Sequence, residues 1–170
     1  MKKIISLFLI CLCIVSLASC GAKKTLPEDT SCEAVLNAIE QVVDMPKYEK
    51  LYLKSKDNLD DFSMSLWCDG VFTSFAQMQL IEDYAVFTGT GTETFEIAIF
   101  KFNSSADEKT KEDIFTRRKN TLASGDKGAY DPNFENMMES SVVYFDGDFG
   151  MLLITGDNEK ALEIIENLKQ

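Results

Sequence analysis

Two pairs of β-rich runs, each closed by turn residues, constrain this chain more than any other feature. Val142-Val-Tyr-Phe145, Asp146-Gly147 and Phe149 to Thr155 read as one hairpin, because Asp-Gly between apolar runs is the strongest short-range turn signal. Tyr84 to Thr88 and Phe95 to Phe102 read as another, joined by the Gly89–Glu93 loop "GTGTE". A sheet made this way is apolar and needs cover. Three helical patterns supply it. Residues 32–45 place Val35, Ile39, Val42 and Val43 at helical spacing, with Thr30 and Glu33 as a capping box and Pro46 as a stop. Ser105 with Glu108 opens a charged helix to about Ala123, which Gly125 ends. Asp157 caps a last helix carrying Ala161, Ile164, Ile165 and Leu168. Residues 47–65 are mixed, 66–82 fit helix or strand equally, and 125–138 read as a loop. The expectation is an α+β fold: an antiparallel sheet built from two hairpins, with helices covering one face.

The beginning of the chain reads differently. Lys2 and Lys3 precede Ile4–Ala18, fifteen residues broken only by Ser6 and Ser16. A membrane-spanning helix needs about 20 apolar residues, and this shorter run ending in small residues has the pattern of a signal peptide. Leu17-Ala18-Ser19-Cys20 resembles the lipobox of bacterial lipoproteins. That resemblance implies cleavage before Cys20 and a thioether-linked diacylglycerol on its sulfur, against the alternatives of an ordinary signal peptide or an uncleaved anchor. One acyl chain holds a protein only marginally, whereas two anchor it stably. The expected organisation is a signal peptide over 1–19, a lipidated cysteine and flexible tether over 20–31, and a single domain over 32–170. The expected location is the extracytoplasmic face of the cell membrane.

Charge restricts the partners. The chain has 17 Lys and Arg against 28 Asp and Glu, and loss of the two signal-peptide lysines takes the formal charge from −11 to −13. Such a surface repels nucleic acid, so membrane contact is expected through lipid on Cys20 and no nucleic-acid partner is expected. Twelve Phe, five Tyr and one Trp are enough for a packed core. Of five cysteines, Cys11 and Cys13 leave with the signal and Cys20 carries lipid. Cys32 and Cys68 remain, in a compartment that permits a disulfide. A bridge would close a loop of about 37 residues and contribute roughly 3–4 kcal/mol, while two buried thiols would act as small hydrophobes. Both readings stand.

The order of features resembles one known family. "EDYAVFTG…FEIAIFKF" leads into a charged helix, "YDPNF" spans 130–134, and "SVVYFDGDFGMLLIT" with "GDNEKALEII" closes the chain. Together with the lipobox, this is similar to small Gram-positive lipoproteins grouped only as domain of unknown function 4358. The resemblance implies a fold and an address, and no activity.

No residue pattern points to catalysis. The chain has no histidine, which removes Ser-His-Asp triads, Cys-His dyads and most zinc sites. "TGTGT" at 88–92 leads into a strand and lacks the Gly-Lys-Ser/Thr of a phosphate loop. Asp57, Asp60, Asp61 and Asp69 form no Asp-x-Asp-x-Asp-Gly calcium pattern. Glu82 and Asp83 lack a partner for glycosidase work. Asp146 and Asp148 read as turn residues, and Arg117-Arg118-Lys119 reads as a set of ion-pair partners for nearby acids, with reception of an anionic partner as the alternative. The loop holding Tyr130, Phe134, Met137 and Met138 is the candidate interaction surface, since aromatic and Met side chains suit adaptable contacts; the same residues would also pin a loop to a core. The expectation is a non-catalytic binding or interaction module without cofactor or metal, its partner an envelope protein or small ligand. The alternative is a histidine-free enzyme, or an enzyme accessory, acting on envelope polymers.

Overall fold

The computed structural model describes residues 24–47, 49–53, 71–89 and 92–170. The signal segment, Cys20, Cys68 and the acidic cluster Asp57, Asp60, Asp61 and Asp69 lie outside the described residues. The fold is α+β, as expected. Five strands, β1 (Glu49–Leu53), β2 (Ile81–Gly89), β3 (Glu96–Phe102), β4 (Val142–Asp146) and β5 (Phe149–Ile154), form one antiparallel sheet in the order β1-β2-β3-β5-β4. Both expected hairpins are present, and β3 joins them by pairing with β5, Ile97 opposite Leu153 and Ile99 opposite Met151. Strand β1, in the mixed 47–65 stretch, extends the sheet beyond β2. In the ambiguous 66–82 stretch, the described part is a short helix α2 (Phe75–Met78) leading into β2.

Helices cover both faces of the sheet, not one. The central strands are apolar on both sides, and a strand with two apolar faces needs two covering layers. On one face, Ala85, Phe87, Ile97, Ile99, Met151 and Leu153 pack against α1 (Cys32–Glu40) and α5 (Asn158–Leu168). On the other, Tyr84, Val86, Ala98, Phe100, Phe102 and Leu152 pack against Ile114 and Phe115 of α3 (Glu108–Ala123) and Met138 of α4 (Phe134–Ser140). The second face is a cluster of rings: Phe115 lies 5.4 Å from Phe100 and 5.8 Å from Phe145, centroid to centroid. Gly150 makes this possible, because a Cβ there would meet Phe115 Cε2 at 2.5 Å and Phe145 Cε1 at 2.9 Å.

Local chemistry moves several boundaries. The cap of α1 is Ser31, whose hydroxyl accepts the Ala34 N–H at 3.1 Å, and not Thr30. The helix ends at Glu40, with the Val42 and Val43 N–H groups both reaching Ile39 O in a last loose turn before Pro46 forbids continuation. Asp107, not Ser105, caps α3 by accepting the Thr110 N–H at 2.6 Å. Asp157 caps α5 as expected. The 125–138 stretch is not all loop, for it holds a 3₁₀ turn (Asp126–Ala129) and the start of α4. The last hairpin pairs Asp146 with Phe149 and turns on Gly147-Asp148, with Gly147 at φ +57°. Positive φ at the first central residue alone is the type II′ pattern. The turn therefore sits one residue later than the Asp-Gly reading, which makes Asp146 the last residue of a strand.

Candidate functional site

The structure divides polar chemistry between the two ends of the sheet. At the end where β3 finishes and β5 begins, Asp146 is buried and binds two distant parts of the chain. Its Oδ2 accepts the Leu26 N–H at 2.7 Å, and its Oδ1 faces Lys169 Nζ at 3.2 Å as an ion pair. The two side chains are 1% and 4% exposed, respectively. Lys169 also donates to Glu166 Oε1 at 2.6 Å and to the Tyr144 hydroxyl, which itself donates to Glu166 Oε1. Burial works against the Lys169 ammonium, yet Glu166, Tyr144 and Asp146 outweigh it and raise its pKa above the ordinary lysine value. Tyr144 shifts upward as well, first through burial and then through its bond to Glu166.

This network ties down residues expected to be tether. Leu26 is buried, the Gln170 N–H donates to Thr25 O, and Lys101 Nζ donates to Glu28 O. The segment from Thr25 to Glu28 is docked on the domain, so the flexible-tether reading does not hold there. Its backbone groups find partners on β3, β4 and the chain after α5, and Leu26 joins the apolar face under α1 and α5. Asp146 read as a turn residue because Asp-Gly is a turn signal, and no local pattern shows that an aspartate 120 positions away meets Leu26.

At the opposite end, where β3 begins, lies an open cleft of about 270 Å³ whose lining includes Met45, Thr94, Phe95, Asp131, Asn133 and Met137. Asp44 and Glu93 also border it. Asp131 is buried and holds the site together: its Oδ2 accepts the Thr94 N–H at 2.5 Å and its Oδ1 the Asn133 N–H at 2.8 Å. These bonds fasten the 130–134 loop to the connection that leads into β3. The Thr94 hydroxyl is buried and has no hydrogen-bond partner among the described residues.

The four aromatic and Met residues of the candidate interaction loop fall in different places. Met138 is buried in the ring-rich core and Phe134 packs against it, as does the inner part of Met137. Met137 also lines the cleft. Tyr130 is 69% exposed. The loop thus serves both readings, pinned by Phe134 and Met138 and open to solvent at Tyr130 and Met137. The residues that sequence reasoning missed here are Asp131 and Thr94; the Asp-Pro step at 131–132 is a local turn signal, but its hold on Thr94 is a tertiary contact.

Other singled-out residues have structural work. Cys32 is a fully buried free thiol. Burial first, and the Asp83 carboxylate second, push its pKa far above the ordinary thiol value, so it stays protonated and unreactive. Its candidate partner Cys68 lies outside the described residues. Asp83 accepts the Cys32 N–H at 2.7 Å. Arg118 meets buried Glu96 through two parallel bonds, Nε to Oε1 at 2.8 Å and Nη2 to Oε2, and Arg117 Nε donates to Val71 O. Among the described residues, no group of three or more Cys, Asp or Glu is placed to hold a metal ion, and no helix is long and apolar enough to cross a membrane. No family model, curated protein or solved structure matches this chain.

Proposed function

We propose that the chain is an extracytoplasmic lipoprotein, anchored by diacylglycerol on Cys20, an address that the resemblance to domain of unknown function 4358 implies, and that its domain is a non-catalytic binding module. The observation that carries the binding reading is the cleft at the start of β3. It combines an apolar floor of Met45, Phe95 and Met137 with a buried hydroxyl and bordering carboxylates. Concave sites with an apolar lining and a few fixed polar groups are where small ligands and side chains bind. Asp44 and Glu93 at its border favour a cationic or hydrogen-bond-donating group on the occupant, with an apolar body over Met137. Asp131 is committed to two backbone N–H groups, which suits a fixed wall better than a proton-transfer group.

A photo-crosslinking residue at Tyr130 in the full lipidated chain tests this reading. It is expected to form a discrete adduct with an envelope component, and Met137→Lys should remove that adduct while leaving the melting temperature nearly unchanged. Persistence of the adduct in the Met137 variant would show that the cleft is not the binding site.

A further inference from the structure

We infer that the lipid holds the domain with its Leu26–Asp146 end against the membrane and the Thr94–Asp131 cleft facing away from it. This inference rests on the proposed lipidation of Cys20. The docked segment Thr25–Glu28 fixes where the chain leaves the domain: beside Gly147, Asp148 and Gln170, which border the same surface hollow as Thr25. From Cys20 to Thr25 is five residue steps, a reach of at most roughly 18 Å whatever their conformation. Headgroups occupy about 6 Å of that, so about 12 Å of slack remains. A domain of this size has a radius of gyration near 15 Å, and hence a radius of about 19 Å as a sphere. With slack shorter than its own radius, the domain cannot roll over. Had residues 20–31 all been free, their reach of roughly 40 Å would have allowed any orientation.

The sheet converts this restraint into an orientation. Lys101 and Phe149 lie at the anchored end, whereas Phe95 and Gly156 line the cleft. Strand β3, seven residues from Glu96 to Phe102, separates the two by roughly 20 Å. Exposed Lys24 adjoins the docked segment at this end, where a basic residue near the surface adds about 1 kcal/mol of attraction to an anionic leaflet.

The test places a coumarinyl amino acid in the full lipidated chain at Asp148, whose side chain is 63% exposed, or at Tyr130. Each protein is reconstituted in vesicles of phosphatidylglycerol and phosphatidylcholine that contain a headgroup-nitroxide lipid. The expected result is at least threefold stronger quenching at position 148 than at 130, and loss of that contrast when a 12-residue Gly-Ser insert follows Lys23. Equal quenching at the two positions, or stronger quenching at 130, overturns the orientation while the protein still floats with the vesicles. A purified chain whose intact mass lacks diacylglycerol, and which does not float, overturns the anchoring and the orientation together.

Discussion

At the scale of single residues, the core is set by what fits opposite an aromatic ring. Gly150 stands across from Phe100 in the β3–β5 pairing, and the missing side chain is the space Phe115 fills. A methyl group at 2.5 Å from a ring carbon forces a ring off its rotamer or the strand out of register. Gly150→Ala should therefore destabilise the protein by about 1–3 kcal/mol, read as a lowered chemical-denaturation midpoint with an unchanged slope. Wild-type stability in that variant would mean that the ring cluster is looser than its geometry indicates. This glycine sits inside a run that reads as an uninterrupted strand, so its need is invisible until α3 is laid over the sheet. Gly147 is the opposite case, since a turn glycine announces itself locally.

At the scale of elements, what was legible in the sequence is what local chemistry fixes. The four strands of the two hairpins, the charged helix α3 and the last helix follow from apolar period and turn residues, and Asp157 caps α5 as its position suggests. What was not legible depends on partners far along the chain. Strand β1 needs β2 beside it, and the two-sided cover of the sheet follows only when β3 is seen buried on both faces. Glu96 is polar in an apolar strand because Arg118 of α3 reaches it. Removing one partner of a buried pair leaves the other charge unpaired, at a cost of roughly 3–5 kcal/mol. Arg118→Ala is expected to show that loss in thermal or chemical unfolding, and Arg118→Ala with Glu96→Leu to regain much of it. The helix caps respond to acid. The Asp107 carboxyl is held below its ordinary value by the Thr110 N–H, and that of Asp157 by the Lys160 side chain and N–H. Lowered carboxyl values mean that their stabilisation is complete above about pH 4 and fades as pH falls through them. Melting temperature should drop between pH 4 and 2, less steeply in a double Asp107→Ala, Asp157→Ala variant, whose baseline stability is lower.

At the scale of the whole molecule, the cleft is the part least readable from sequence. It is assembled from the stretch after α1, the connection leading into β3, the 130–134 loop, Met137 of α4 and Gly156, segments that no local pattern brings together. The candidate loop was visible as a cluster of aromatic and Met residues, but its division into pinned and exposed members is set by packing. The proposed anchoring is tested at the same scale. Cys20→Ala should move the protein from the detergent phase to the aqueous phase in a phase-partition assay, with unchanged folding of the domain; continued partition into detergent would refute lipidation at Cys20.

The contact between Leu26 and Asp146 carries a consequence for biogenesis. The two are 120 positions apart, and Lys169 pairs with the other oxygen of the same carboxylate. Contacts so distant in sequence form late, because a long loop must close first. In a chain that emerges from its N-terminus, the early segment has no docking site until almost the whole polypeptide has followed. On the lipoprotein reading proposed above, that interval is the one in which enzymes that attach lipid and cut a leader would act, before Thr25–Glu28 docks. That reading places processing ahead of the Leu26–Asp146 contact, and the finished fold then holds Thr25–Glu28 against the domain.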